Sequence, residues 1–195
     1  MSLPIDGPSA DLDVRLRGLL DRQDIYDALV RYCRGIDRCD VELVLSAFHD
    51  DALDNHVGVD QSVAERVPRV IEKAKTDVEW TSHNLCNVLI ELDGDIATSE
   101  SYLVAYHRIA RNGGLSRDAH QAGEVDWILG ARYVDRFERR SGVWRIAHRT
   151  VIYDWDRFDD VPERPRDLAE ATFAANALHA CRSPDDYSYR RITEC

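Results

Sequence analysis

The chain of 195 residues lacks the features on which several protein classes depend. Its longest purely apolar runs are only a few residues, far below the ~20 that a membrane span requires. The five cysteines are odd in number and form no Cys-x-x-Cys pair, which argues against a disulfide framework and against a zinc site. Residues 1–10 have neither the basic start nor the apolar stretch of a secretory signal. These absences predict a cytoplasmic protein with no membrane partner.

Positive charge is also scarce. The formal net charge is −11, and nucleic-acid binding draws its affinity from lysine and arginine contacts to phosphate. We therefore expect no nucleic-acid partner. Hydrophobic residues make up 44% of the chain and charged residues 31%, which is ordinary for a globular protein. A chain of this length suits one domain with a sizeable core.

The first part of the chain has the period of helices. Apolar residues recur at three- and four-residue steps over residues 11–34, which predicts a helix that Gly18 could divide in two. Residues 41–48 predict a second helix and residues 62–75 a third. The polar stretch between them, residues 49–61, is expected to be irregular.

After Trp80 the period changes to two, which predicts strands. The two-residue period and the turns at Gly94 and Gly142 predict two hairpins. Helices followed by antiparallel strands indicate an α+β fold in which the helices pack on one face of a curled sheet. The predicted strands are residues 84–92, 96–110, 125–139 and 143–155.

Two regions follow from this order of elements. Residues 11–158 are expected to form one cone-shaped α+β domain. Residues 159–195 are expected to form a tail with a short helix over residues 166–181, which is rich in alanine. The tail could cover the mouth of the cone or a neighbouring subunit.

Polar residues at positions that suit a cavity are the first candidates for chemistry. Tyr32 and Asp37 flank the end of the first long helix, and His83 opens a strand. Imidazole can take a proton near neutral pH, and a nearby carboxylate orients the ring and stabilises its charged form. A helix-capping aspartate and a structural histidine are the plain alternatives.

Two further polar residues lie within predicted strands. Strand alternation puts His107 on the face of Leu103 and Ala105, and Tyr106 on the other face. A histidine on an apolar strand face is more often a hydrogen-bonded core residue than a catalyst. Arg149, near the middle of the last strand, needs an anionic partner or ligand unless it faces solvent.

Cofactor signatures are absent from the sequence. His49, Asp51 and His56 invite a metal hypothesis, but their spacing is not that of a compact metal motif. Gly113-Gly114 lacks the strand–helix context of a phosphate loop, and no Gly-x-Ser-x-Gly motif occurs. We therefore expect neither a metal nor an organic cofactor.

Several segments, in the right order, resemble the SnoaL-like branch of the nuclear transport factor 2-like (NTF2-like) superfamily. The resemblance covers residues 16–155 and implies a cone-shaped barrel of curved, mostly antiparallel sheet packed against N-terminal helices. This fold hosts enzymes, binding proteins and assembly subunits alike. The matching segments are Asp21–Leu29, the turn to Asp37, Ala47–Ala52, Ser82–Leu85 and Arg132–Arg149.

The enzymes that the chain resembles within this branch are scytalone dehydratase, hexachlorocyclohexane dehydrochlorinase and bile acid 7α-dehydratase. The resemblance implies an Asp37–His83 dyad, with Tyr32 as a proton donor, Arg149 as a pocket cation and His107 as a second pocket histidine. It implies a cofactor-independent lyase or isomerase in which His83 takes a proton from carbon and Asp37 holds the imidazole ring.

The resemblance also guides the remaining expectations. The substrate is expected to be a hydrophobic small molecule, aromatic or hydroxylated, and the protein a homo-oligomer, with a trimer ahead of a dimer. One alternative is a non-catalytic binding or assembly subunit resembling the β chain of ring-hydroxylating dioxygenases, and another is an enzyme with a carboxylate base. The residues expected to bind substrate are Arg149, His107, His56, Asn87 and Tyr106.

Overall fold

The computed structural model describes residues 12–110, 124–161 and 180–190. The helix predicted over residues 166–181 lies outside these ranges except for its last two positions, which are not helical. No helix in the described ranges is long and apolar enough to cross a membrane.

Three α-helices precede most of the sheet. They are α1 (Leu12–Asp37), α2 (Val41–Leu45) and α3 (Val63–Asp77). The helix α1 continues through Gly18 without a break, because a single glycine weakens a helix by only about 1 kcal/mol. Its buried residues, which begin at Ile25, form the face that packs on the sheet.

A close approach between α1 and α2 fixes the end of α1. The backbone N–H of Asp40 donates to the carbonyl of Gly35 at 2.9 Å, and the Asp40 carboxylate caps α2 by accepting the Leu43 N–H at 2.9 Å. A Cβ at position 35 would lie 2.5 Å from Cγ2 of Val44 and 2.8 Å from its backbone nitrogen. Only glycine fits at this crossing, and the crossing holds the last residue of α1, Asp37, in place.

The sheet has six strands in the order β2-β1-β6-β5-β4-β3. All neighbouring strands are antiparallel except β1 and β6, which are parallel. The strands are β1 (Phe48–Asn55), β2 (Asp60–Ser62), β3 (Val78–Asp93), β4 (Ile96–Ile109), β5 (Val125–Arg140) and β6 (Val143–Asp160).

The predicted α+β class and the two hairpins are confirmed, with three corrections. Residues 49–61 were expected to be irregular, but β1 and β2 occupy most of them, and β1 already begins at Phe48. The strand expected from residue 84 begins at Val78, and the last strand runs to Asp160. The sheet is curved but open, because β2 and β3 form its two edges and do not pair with each other.

The core lies between the helices and the concave face of the sheet. Its side chains come from all three α-helices and from the inward positions of β1, β4, β5 and β6. Burial of aliphatic and aromatic side chains of this size contributes about 1.5–3 kcal/mol each. The largest fully buried apolar residues are Trp144, Phe48, Phe137, Ile25, Leu29, Ile71, Ile109 and Ile146.

Residues 180–190 pack on the C-terminal ends of α1 and α3. Arg182 donates to the carbonyls of Ala74 and Val78 at the junction of α3 and β3. The hydroxyl of Tyr189 donates to the carboxylate of Asp40 at 2.8 Å. This part of the tail therefore lies beside the end of α1 that carries Asp37.

We expect Gly35→Ala to lower the free energy of unfolding by about 2 kcal/mol, the usual cost of forcing extra volume into a packed contact. Gly18→Ala is the matched control on the same helix, because its nearest neighbour would be Leu92 Cδ1 at 3.9 Å. That change should raise stability by roughly 0.5 kcal/mol. Urea unfolding measures both, and equal effects of the two substitutions would contradict the packing account.

Candidate active site

A cleft of about 460 Å³ opens between the C-terminal half of α1 and the strand β3. Its α1 side is a stripe at three- and four-residue spacing, the period at which one face of a helix repeats. Its lining residues are Val30, Cys33, Arg34 and Asp37 from α1, Arg38 directly after the helix ends, and His83, Asn84 and Leu85 from β3.

Asp37 and His83 meet in this cleft through two contacts. Oδ1 of Asp37 lies 2.7 Å from Nδ1 of His83, and Oδ2 accepts the backbone N–H of His83 at 3.0 Å. The side chains are only 15% and 8% exposed, respectively. One carboxylate thus holds both the strand and the ring, which fixes the orientation of the imidazole.

The contact with Asp37 also assigns the tautomer of His83. A carboxylate accepts hydrogen bonds, so the neutral ring carries its proton on Nδ1 and an electron pair on Nε2. Nε2 makes no hydrogen bond within the described ranges. The pair therefore presents a Brønsted base oriented by a carboxylate.

His107 lies beside His83 because of a β-bulge. The register of β3 and β4 shifts between Leu85 and Val88, and beyond the shift His83 is opposite Ala105 and shares its face with His107. The ring centroids of the two histidines are 5.3 Å apart, edge to face. On its other side the ring of His107 lies 5.1 Å from that of Trp127.

Burial, followed by the charges of His83 and Arg182, lowers the pKa of His107 from 6.5 to about 3. His107 is therefore neutral at physiological pH. Its Nδ1 is buried with no hydrogen-bond partner in the described chain. Buried polar atoms are normally paired, so this nitrogen is a candidate contact for a bound molecule.

Tyr106 points away from His83. It occupies the alternate face of β4, where its hydroxyl donates to the Asp126 carboxylate at 2.6 Å. Arg108 binds the same carboxylate at 2.8 and 2.9 Å. The structure thus separates Tyr106 from the cleft in which it was expected to bind substrate.

Arg149 lies in the interior and has an anionic partner. It forms two hydrogen bonds of 2.7 Å with Asp135, and both side chains are fully buried. Burial alone would lower the pKa of Arg149, but the Asp135 carboxylate offsets this and holds the pKa above its ordinary value. Nη1 of Arg149 is buried without a partner in the described residues.

Tyr32 contacts Arg149 rather than the dyad. The guanidinium carbon lies 4.1 Å from the Tyr32 ring centroid and 4.0 Å from that of Tyr133. Burial raises the pKa of Tyr32 to about 12, with the charge of Arg149 opposing the rise. Tyr32 is 3% exposed and does not line the cleft, so its expected contact with substrate stays a prediction.

His56, directly after the end of β1, belongs to a second polar group. Its Nδ1 lies 2.8 Å from Oδ1 of Asp54, and Arg66 donates to Oδ2 at 2.9 Å. Burial lowers the pKa of His56 despite its bond to Asp54. In the described part of the chain, no three histidine, cysteine or acidic side chains are grouped as a metal site would require.

Asn87 is exposed within the β3 bulge and makes no hydrogen bond to the described residues. Its neighbour Asn84 lines the cleft instead. The helix period could have identified Arg34 as a lining residue, because it lies three residues before Asp37 on α1. Arg38 follows Arg34 by four residues, directly after the helix ends. Burial raises the pKa of Cys33 to about 12, so the group that it offers to the cleft is a thiol.

This curved, open six-stranded sheet with helices on its concave face places the chain in the NTF2-like class of α+β folds. The model of the SnoaL-like domain family matches residues 17–150. The chain therefore belongs to the SnoaL-like domain family. No curated protein sequence is significantly similar to it.

Solved structures with the same fold include three informative neighbours. A hexachlorocyclohexane dehydrochlorinase, LinA-type3 from Novosphingobium barchaimii LL02, is 17% identical with a TM-score of 0.65, covering 77% of this chain and 99% of that one. A protein from Novosphingobium aromaticivorans DSM 12444, provisionally named a scytalone dehydratase, is 20% identical with a TM-score of 0.60, covering 75% and 91%. A Mycobacterium tuberculosis protein of unknown function is 24% identical with a TM-score of 0.52, covering 79% and 86%. At these identities the likeness is one of fold.

The low pKa of His107 predicts a pH dependence of stability. Between pH 6.5 and 3 the unfolded chain binds a proton at this position that the folded chain does not, so the stability present above pH 6.5 is lost as the pH falls. From pH 7 to pH 5, wild type should lose about 2 kcal/mol more than His107→Phe.

Urea unfolding of both proteins at the two pH values measures this difference. The comparison isolates His107 because the other titrating groups are common to both. Equal losses in wild type and in His107→Phe would contradict the burial of a neutral imidazole.

Proposed function

We propose that the protein is a cofactor-independent lyase or isomerase in which His83 removes a proton from carbon. The observation that carries this proposal is the 2.7 Å contact between Asp37 and His83 within a cleft that can admit a small molecule. General-base catalysis by histidine requires an oriented imidazole whose second nitrogen is free to accept a proton, and Nε2 of His83 makes no hydrogen bond to the described residues.

The proposed step begins with transfer of a substrate proton from carbon to Nε2 of His83. In an elimination, the C–H electron pair forms a double bond to the next carbon, and the leaving group departs with its own bonding pair. In an isomerisation, the pair moves toward a carbonyl oxygen. The Asp37 carboxylate stabilises the imidazolium, which can then return its proton to a departing hydroxyl or to another carbon.

The surroundings of the base support the same chemistry. His107 is neutral and does not compete for the proton. It is not among the residues that line the cleft, so its predicted contact with substrate stays a prediction. Val30, Leu85 and the thiol of Cys33 give the cleft an apolar part, which favours a hydrophobic small molecule. The predicted roles of Tyr32 as proton donor and of Arg149 as an anion stabiliser stay predictions, because neither lines the cleft.

Two of the similar structures bear the names of elimination enzymes, a dehydrochlorinase and a dehydratase. Elimination is one of the reactions open to an aspartate–histidine pair, so the names favour it over isomerisation in this chain. The substrates of these two neighbours do not indicate the substrate of this chain, because the sequences are only 17% and 20% identical to it.

The two alternatives weighed from sequence have less support. A purely structural or binding subunit gives no reason for Asp37 and His83 to meet, yet they form two close contacts. A carboxylate base needs a free oxygen, but both oxygens of Asp37 accept hydrogen bonds from His83. Asp135 is likewise bound by Arg149.

We expect His83→Gln to reduce turnover by at least ~10²-fold, because proton transfer by a positioned side chain contributes ~10²–10⁴-fold. The assay is a screen of hydroxylated and halogenated cyclic compounds without added cofactor, read by mass spectrometry for loss of water or acid. His148→Gln is the matched control, since His148 also contacts a carboxylate, that of Asp60 at 3.1 Å, but is half-exposed on β6.

Turnover that is lost in His83→Gln and retained in His148→Gln would support His83 as the base. Turnover that persists in His83→Gln would exclude it and transfer the chemistry to another group.

A further inference from the structure

The cleft at the dyad carries an excess of positive charge in a protein whose net charge is −11. Arg34, in the last turn of α1, and Arg38, directly after the helix ends, both line it. Like charges that share one cleft repel each other. The one acidic residue among the lining side chains, Asp37, is already bound to His83.

The carboxylates of the protein do not fully neutralise the positive charge of Arg38. Its nearest carboxylate is that of Asp186, at 3.6 Å from Nε, too far for a hydrogen bond. The Asp186 oxygens instead accept from the N–H of Cys181 and from the N–H and hydroxyl of Ser188. Nε of Arg38 is buried without a hydrogen-bond partner in the described chain.

Arg34 is held in place but keeps donors free. Its Nη2 contacts the carbonyl and hydroxyl oxygens of Ser188 at 3.0 and 3.2 Å. Its guanidinium lies 4.3 Å from the Tyr189 ring centroid. Nη1 and Nε make no hydrogen bond to any described residue. The tail residues 186–189 thus hold the two arginines beside Asp37 without satisfying all of their donors.

A third cation lies on the same side of the fold. Arg182 reaches the junction of α3 and β3, where it binds the carbonyls of Ala74 and Val78. Its Nε is also buried without a partner in the described residues. The charge of Arg182 is among the causes that lower the pKa of His107, after burial and His83.

We infer that the substrate carries an acidic group, a carboxylate or a phosphate, which Arg38 and Arg34 bind at the rim of the cleft. This inference rests on the proposed function, because only an enzyme would make the bound molecule a substrate. The binding of the acidic group by the two arginines does not depend on turnover. Guanidinium groups bind planar carboxylates and phosphates through paired hydrogen bonds. The acidic group would anchor the molecule while its apolar body places a C–H bond at Nε2 of His83.

The test compares three probes that share one apolar body, namely 2-naphthoate, 2-naphthyl phosphate and neutral 2-naphthamide. Calorimetric titration of wild type should show at least one anion binding about tenfold or more tightly than the amide, a ratio expected of a charge-assisted contact. Which anion binds more tightly distinguishes a carboxylate site from a phosphate site.

Arg38→Gln should reduce this preference to within about threefold, and Arg34→Gln should weaken it as an independent check. Arg15→Gln is the control, because it removes the same charge from an exposed site on α1 that lies about 28 Å from Arg34 along the helix axis. His83→Gln should keep the preference, so that loss of anion binding and loss of catalysis are separate results.

Equal affinity for the amide and both anions, or failure of both anions to bind in the millimolar range, would overturn the inference. So would a preference that survives both arginine substitutions. Anion binding in a protein that turns over no substrate would refute the proposed function alone.

Discussion

The two hydrogen bonds from Asp37 to His83 connect the end of the long helix to the first strand of the large hairpin. One oxygen accepts the backbone N–H and the other accepts the ring N–H, so the carboxylate fixes the strand position, the ring orientation and the tautomer together. Its own position depends on the glycine at residue 35, which lets α2 cross closely over α1. A rigid element thus presents the base, and the open Nε2 follows from hydrogen bonding at the opposite nitrogen.

Three histidines of this domain differ in their surroundings and therefore in what they can do chemically. His83 lines the cleft and has a carboxylate on Nδ1, while its Nε2 makes no hydrogen bond to the described residues. His107, only 5.3 Å away, is buried beside an indole ring and kept neutral. His56, directly after the end of β1, contacts the carboxylate of Asp54, which also binds Arg66 of α3. The same side-chain chemistry therefore gives a candidate base, a neutral neighbour and a structural polar group, because burial and partners shift protonation in different directions.

The sequence predicted the parts of this arrangement that depend on local patterns. The long helix and both hairpins follow from apolar periodicity and turn residues, and the pairing of Asp37 with His83 was expected from the family resemblance. β1 was missed because it is rich in aspartate and pairs along one side with β6, which lies far along the chain. The sequence also did not predict the two β-bulges. Without the register shift near residue 136, Arg149 would not be opposite Asp135. Without the register shift in β3, His83 would not share a face with His107.

Because Asp37 accepts the hydrogen bond from Nδ1 of His83, the ring keeps a free electron pair on Nε2, which a base needs. Nitrogen-15 NMR of the imidazole, assigned with His83→Gln and recorded where the ring is neutral, reads the tautomer directly and needs no substrate. Because Asp37 accepts a hydrogen bond from the ring, we expect a protonated Nδ1 and an unprotonated Nε2 in the free protein. A ring that carries its proton on Nε2 would contradict the account, because that nitrogen could then donate a proton to a bound molecule but could not remove one from carbon.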